Sequence, residues 1–233
     1  MPSLVSFRFE NPYSLSPSLH QSFSKAPLIS MPTIPSQQTM HPQLQPTLYS
    51  AFALLCSPTL AHTLTAFVNE GYRSTPLRHP LHWDTEIDDR FPDANSIHKC
   101  LGLDGIFAVL YDPQDSSVPI ACASMTRWSG DLVTFAAEGE SGWEIKTVTT
   151  HRDWRGLGLP GLCVDALVQR ALRMEDENDR KVQIWLQAVE ELNGEFWRKK
   201  GWTEIRGYDR PVGHSGSKMG YRLLVMLQEF EKE

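Results

Sequence analysis

The sequence predicts an α/β fold of the α+β kind, and three observations lead there. Apolar, β-branched runs at 105–111, 118–125 and 143–150 succeed one another with turn residues between them, the pattern of a meander rather than of βα units. A glycine-rich turn then leads into a stretch with apolar residues at Leu162, Ala166, Leu167, Val168 and Leu172, which reads as an amphipathic helix. A further buried-looking run, VQIWLQA at 182–188, follows, so a strand–helix–strand unit is appended to the meander.

The 233 residues suffice for one substantial domain with an appendage. Net charge is −6, which argues against a sequence-independent nucleic-acid binder. No apolar run approaches the ~18 residues of a transmembrane helix, so no membrane partner is expected. Cys56, Cys100, Cys122 and Cys163 show no C-x-x-C spacing, so no metal site is expected. Cys56, Cys122 and Cys163 sit in apolar surroundings and read as buried small hydrophobes of a reduced, cytoplasmic protein.

Each element follows in order. Residues 1–45 are rich in Ser and Pro, carry few charges and have no period, so they read as a disordered or loosely attached arm. The arm is nearly free of acids, as organelle transit peptides are, but its poverty in Arg argues against that. The body, 46–233, opens with TLYSAFALLC (47–56) as a first strand. Ser57-Pro58 then signals a helix start, and Leu60, Leu64, Phe67 and Val68 carry the helix to about Asn69. The Pro-broken stretch 74–92 reads as a loop with a short helix, and 96–101 as another helical piece. DPQDSS joins the strands at 105–111 and 118–125. After the strand at 182–188, residues 192–200 form a short amphipathic helix stopped by Gly201, and strands at 202–205 and 221–228 close the body.

Gly156, Gly158 and Gly161 in WRGLGLPGLCV (154–164) spell G-x-G-x-x-G. A dinucleotide-binding doubly wound sheet requires more βα units than the remaining third of the chain can supply. The acidic candidate at the end of the next strand, Glu190, also lies well beyond the usual ~20-residue offset. A glycine turn opening a helix has a second use. It presents unpaired N–H groups and a positive dipole end, with no side chain to keep a diphosphate away. Arg152 and Arg155 add positive charge.

Strand, R-G-L-G-L, helix, strand and then FWRKKGW (196–202) resembles the GNAT superfamily of acyl-CoA N-acyltransferases. Arg155 and Gly158 match the superfamily's Q/R-x-x-G-x-G/A signature, and the preceding strand ends V-T-T as its cofactor-contacting strand does. The resemblance spans about 46–230 and is specific from Trp143 to Trp202. The N-terminal arm, NEGYR at 69–73 and PVGHSGSKMGYRLLVM near the end resemble a fungal branch of that superfamily. The resemblance implies a mixed, mostly antiparallel sheet, flanked by helices, in which the strands at 143–150 and 182–188 splay apart. It implies acetyl-CoA, or another acyl-CoA, as co-substrate, with the pantetheine arm against Val148 and Thr150. The pyrophosphate would rest on residues 155–161, namely Arg155, Gly156, Leu157, Gly158, Leu159 and Gly161. A small-molecule amine would attack the thioester directly.

The sequence departs from the superfamily pattern in two places. Pro160 stands where the signature has Gly or Ala, which removes one N–H but suits a helix's first turn. Trp197 stands where members commonly carry a Tyr that protonates the departing thiolate, and an indole N–H does not give up its proton near neutral pH. With a shift of three residues, Asn193 takes the place of the pantetheine-contacting Asn. Glu144 matches the position of a catalytic glutamate. Its alternative is an ion pair with Lys146 or Arg127, and both readings stand at this point. An alternating strand puts Glu144, Lys146, Val148 and Thr150 on one face. Trp83 in an aromatic–acidic stretch, His214 in GHSGS and Trp197 are candidates for touching the acceptor. GHSGS itself does not satisfy G-x-S-x-G, because Ser217 replaces the last Gly. The departures leave two other readings beside the acyltransferase: a catalytically impaired CoA-binding protein, and a scaffold turned to another reaction.

Overall fold

A computed structural model describes residues 44–86, 88–131, 134–176 and 180–232. The arm expected over 1–45 lies, as far as residue 43, outside the described residues. Leu44 already packs against the core, two residues ahead of the expected start of the body.

Seven strands form one mixed sheet: β1 (Thr47–Ser50), β2 (Ile106–Asp112), β3 (Asp115–Arg127), β4 (Trp143–Thr150), β5 (Lys181–Val189), β6 (Thr203–Arg210) and β7 (Tyr221–Glu231). Their order is β1-β2-β3-β4-β5-β7-β6. Every neighbouring pair is antiparallel except β4 and β5, which run parallel. A doubly wound sheet needs a parallel pair at each crossover, so the dinucleotide-binding reading of the glycines is excluded by topology.

Helices cover both faces. On one side lie α4 (Leu159–Met174) and α5 (Glu195–Lys199). The face of α4 formed by Leu159, Cys163, Val164, Leu167, Val168 and Ala171 is buried against Ala108, Leu110, Ala121, Ala123 and Ile145 of the sheet. On the other side lie α1 (Ala51–Leu55), α2 (Pro58–Arg78) and α3 (Ala94–Leu101), packed on Phe107, Val109 and Cys122. The inner strand β2 therefore alternates between two apolar environments, which is why GIFAVLY reads as an unbroken apolar run.

The sequence reading errs at several places, each for a local reason. The strand expected over 47–56 stops at Ser50, whose side chain accepts the N–H of Ala53 and caps α1; Ala and Leu then sustain a helical turn. The α2 helix passes Asn69 and runs to Arg78 with Pro76 inside it. Pro76 sits near the end of the helix, where its missing N–H forfeits a single bond, and packing holds the last turns. Gly71 there lies so close to β4 that an added Cβ would stand 2.2 Å from the Thr149 methyl. Asn69, buried, donates to the carbonyl of Phe91 (2.8 Å) and accepts its N–H (2.9 Å), pinning the connecting loop to α2. Asp93 accepts the N–H of Ser96 and opens α3. The helix expected over 192–200 is a π turn at Glu190–Gly194 followed by the short α5. Cys122 and Cys163 are buried as expected, but Cys56 is exposed at the end of α1.

One irregularity matters for the site. Thr147 in β4 has φ +49°, in the left-handed region, and the register against β3 shifts between Cys122 and Ser124. This is a β-bulge: one extra residue on β4, held by a hydrogen bond from Thr147 Oγ1 to Ser124 Oγ (2.6 Å). The expectation that Glu144, Lys146, Val148 and Thr150 share a face is therefore corrected. Glu144 pairs with Thr126 and Lys146 with Ser124, on the α2–α3 side, whereas Thr150 pairs with Ala121 and Val148 packs on the α4 core.

Candidate functional site

The parallel pairing of β4 and β5 lasts three residues: Trp143 with Ile184, Glu144 with Trp185, and Ile145 with Leu186. Beyond it, β4 stays with β3 as far as Thr150, and β5 stays with β7 as far as Val189. The strands thus fork after Ile145 and Leu186, in the middle of the sheet.

A polar group closes the base of the fork on the α2–α3 side. Glu144, only 2% exposed, has its Oε2 2.7 Å from Lys146 Nζ, and its Oε1 accepts a hydrogen bond from Gln187 Nε2 (2.9 Å). Of the two partners considered for Glu144, Lys146 is the one it meets. Arg127 instead pairs with Glu175 and lies over the ring of Trp143. Gln187 reaches Glu144 across the gap between the strands, and its Oε1 is buried with no partner among the described residues.

At the far end of β4 the chain turns sharply. His151 N–H bonds the carbonyl of Ile120 (2.8 Å), a 3-10 turn covers Arg152–Trp154, and Gly156 and Gly158 follow with φ +79° and +73°. Those values favour glycine. A Cβ built on either residue would meet nothing within 4 Å, so the turn opens onto space. Gly158 stands at the N-cap of α4, and no side chain caps that end. The N–H of Gly161 is bonded to Gly158 O (2.9 Å), which leaves Gly161 the part of a small residue in the first turn.

Arg155 does not point at the open side of the turn. Its Nε donates to the carbonyl of Thr150 (3.4 Å) and its Nη2 to Ser74 Oγ of α2 (2.5 Å). Desolvation, with Arg78 nearby, holds its pKa below the usual arginine value, and Glu70 partly offsets this. A cavity of about 300 Å³ separates α2 from the turn, lined among others by Glu70, Ser74, Arg78, Arg152 and Arg155.

The remaining candidates divide between the two faces. Trp83 and His214 come together, although 131 positions separate them. Trp83 forms a β-bridge with Ser217, and its ring lies 5.1 Å from that of Tyr221. His214 Nδ1 is 2.8 Å from the Tyr221 hydroxyl. Lys218 fastens the two loops, its N–H bonding His82 O (2.8 Å) and its Nζ bonding Pro80 O (3.1 Å). Tyr221 shares the face of β7 that carries Leu223 and Val225, the face on which Gln187 and Trp185 lie. Trp197 is not with them. It is buried on the α4 side, edge-on to Phe196 and Trp202, beside a cavity of about 90 Å³. Asn193 is exposed in the π turn.

Sequence reasoning missed Gln187, Ser74 and Tyr221. Gln187 alternates with Trp185 in an apolar strand, and a polar residue at a buried position is the signal that marks it. It also missed the cluster beneath the β3–β4 connection. Trp128 stacks on Trp185 (4.7 Å, 8°), and Arg206 pairs with Glu140 and, at 2.7 Å, with Asp131.

A seven-stranded mixed sheet forked at one central parallel pair, with a glycine turn at the end of the first of those strands, is the GNAT fold. Three of the solved structures that share it illustrate the likeness. They are an acyl-CoA N-acyltransferase from Pseudomonas aeruginosa (13% identity over 79% of this chain and 99% of that chain, TM-score 0.50), a GNAT-family acetyltransferase from Streptococcus pneumoniae (10%, 80% and 99%, 0.51), and the histone acetyltransferase HPA2 and related acetyltransferase from Corynebacterium glutamicum (17%, 79% and 96%, 0.50). At these identities the likeness is one of fold. No protein-family model and no curated protein matches the sequence. Among the described residues no helix is long and apolar enough to cross a membrane.

Proposed function

We propose that the protein transfers an acyl group, acetyl in the simplest case, from acyl-coenzyme A to the amine of a small molecule. The observation that carries this reading is the fork between β4 and β5 combined with the uncapped glycine turn at the end of β4. The residues present fit a coenzyme A thioester. The open space over Gly156 and Gly158 suits a diphosphate, the backbone N–H groups around Leu157–Leu159 and the dipole of α4 favour its charge, and Pro160 merely removes one donor. Val148 and Thr150 on β4, and Asn193 beyond β5, are the candidates to line the pantetheine arm. Arg155 acts here by tying the turn to α2 rather than by touching the ligand.

Bound acyl-CoA supplies an activated thioester carbonyl. Glu144, beside the fork, is the candidate to accept the proton that the attacking amine loses. Lys146 and Gln187 hold the carboxylate in place, and each of its oxygens keeps a free lone pair beyond the contact it already makes. Trp83 and His214, which meet around Tyr221, are the candidates to touch the acceptor. Trp197 is packed among aromatic rings on the other face and offers no acidic hydroxyl, so the thiolate leaves without that help. A thiol pKa near ~8.5 makes this tolerable.

Calorimetric titration with CoA, with NAD as the control, together with thiol release from acetyl-CoA across a panel of amines, tests the reading. Tight CoA binding, weak NAD binding and amine-dependent thiol release are expected. CoA binding with no release for any amine would favour the second reading, a CoA-binding protein that has lost catalysis, which the packing of Trp197 also supports. Failure to bind CoA would end both.

A further inference from the structure

We propose that Gln187 receives the incoming amine, and that the acceptor is a primary amine on an apolar body. This rests on the acyltransferase reading and adds to it the residue that orients the nucleophile. Gln187 follows the last parallel pair, Ile145 with Leu186, so it stands where β5 leaves β4. Its orientation is fixed from one side: Nε2 donates to Glu144 Oε1, and the flipped amide would set oxygen against a carboxylate. Glu144 is in turn held by Lys146. The amide oxygen therefore faces away from Glu144, buried, with no donor among the described residues. Leaving such an oxygen unpaired is unfavourable, and its neighbours on this face, Trp185 and Val225, are carbon surface apart from an indole N–H already bonded to Ser141 O (2.8 Å). An N–H donor belongs at this oxygen.

A neutral primary amine has two N–H groups and one lone pair. One N–H bonds Gln187 Oε1 and aims the lone pair at the thioester carbonyl. The N–C bond forms, the C–S bond breaks and the sulfur departs as thiolate. The second proton passes to Glu144 or to water. The amide product keeps the first N–H on Gln187. A secondary amine must lose its single N–H and so forfeits the contact as the reaction proceeds, and a tertiary amine has none to offer. From Val225 the same face of β7 continues through Leu223 to Tyr221, whose ring meets Trp83. That row is apolar and aromatic, which suits an arylalkyl body better than a polyamine.

The test uses the full chain saturated with CoA, titrated at a pH above the amines' pKa, where all three are free bases, with phenethylamine, N-methylphenethylamine and N,N-dimethylphenethylamine, as wild type and as Gln187→Met, which is close in volume and has no amide. Wild type should bind the primary amine roughly 3- to 10-fold more tightly than the dimethyl compound, the worth of one neutral hydrogen bond. Gln187→Met should abolish that preference, raise KM for the amine and leave CoA affinity unchanged. An equal preference in the variant, or no preference in wild type, would overturn the assignment; the wild-type series needs no variant to fold. CoA binding with no binding of any of the three amines would overturn the acceptor class and leave the CoA reading standing. Absence of CoA binding would overturn both.

Discussion

Replacing Gly158 with Val separates the two things this residue does. Its φ of +73° lies where a Cβ is strained, by about 1–2 kcal/mol for a left-handed residue. In a body of this size that lowers Tm by roughly 2–8 °C. A Cβ there collides with nothing in the protein itself. Gly102 supplies the control. It has φ +63°, ends α3, and a Cβ on it also meets nothing within 4 Å. Its ψ of −155° places it outside the left-handed helical well, in a region kept almost wholly by glycine, so Gly102→Val should show a fall in Tm at least as large. The variants should part in binding. At position 158 the added carbons occupy the volume assigned to the diphosphate, and the loss of one charge-assisted hydrogen bond weakens binding by roughly 10- to 150-fold. Thermal denaturation and calorimetric titration with CoA measure both quantities on both variants. If Gly158→Val and Gly102→Val bind CoA equally well, the glycine turn is a device for reversing the chain and not a cradle.

Four further expectations follow from the packing and the charges. Glu144→Gln should cut turnover about 10²–10⁴-fold at saturating amine if the carboxylate is the base, with CoA affinity kept; a fall in Tm with unchanged turnover would make it only the partner of Lys146. Gly71→Ala should destabilise by about 1–3 kcal/mol, because its methyl meets that of Thr149, and Thr149→Ser on top should restore much of the loss, read as a double-mutant cycle in urea. Arg206 beside Glu140 holds that carboxyl below its ordinary 4.5, so the stability it contributes is full above 4.5 and is lost as pH falls through the lower folded value; Tm against pH should fall less steeply on the acid side in Glu140→Gln than in wild type. Trp197→Tyr should fold with a lower Tm, since a hydroxyl enters an apolar cluster, and its rate of thiol release should not rise, because on this packing the ring does not face the fork.

The two strands that form the fork were readable because each is rich in β-branched and aromatic residues and is bounded by charge or a glycine turn. The turn between β4 and α4 was readable because left-handed backbone selects glycine. What escaped depends on contacts that sequence does not order. The bulge in β4 rests on Thr147, a residue that seldom marks left-handed backbone, and its cause is the Ser124 hydroxyl on the neighbouring strand. Arg155 was expected at the phosphates because of its place in the motif. Its long side chain found Ser74, whose position depends on α2 running past Asn69, where the apolar spacing suggested an end. Trp83 and Tyr221 meet through two loops, and nothing local in either segment announces the other. Ser50 lies inside a run of apolar residues, and only its hydrogen bond to Ala53 reveals that the run changes from strand to helix there.

The bulge at Thr147 has a bearing on how this chain can vary. In a strand, parity assigns each side chain to a side, and an added residue inverts that assignment for all that follows. Upstream of the bulge, Glu144 and Lys146 serve the face of α2 and α3; downstream, Val148 and Thr150 serve the face of α4. Loss of a single codon here would leave every side chain chemically intact, yet it would carry Val148 and Thr150 to the wrong side while Glu144 stayed in place. Substitution at 147 by Asn, which accepts φ near +49° and still offers the buried Ser124 hydroxyl a polar partner, should by contrast be milder. Between Glu144 and Thr150 the number of residues is thus a stricter requirement than the identity of the one that supplies the bulge.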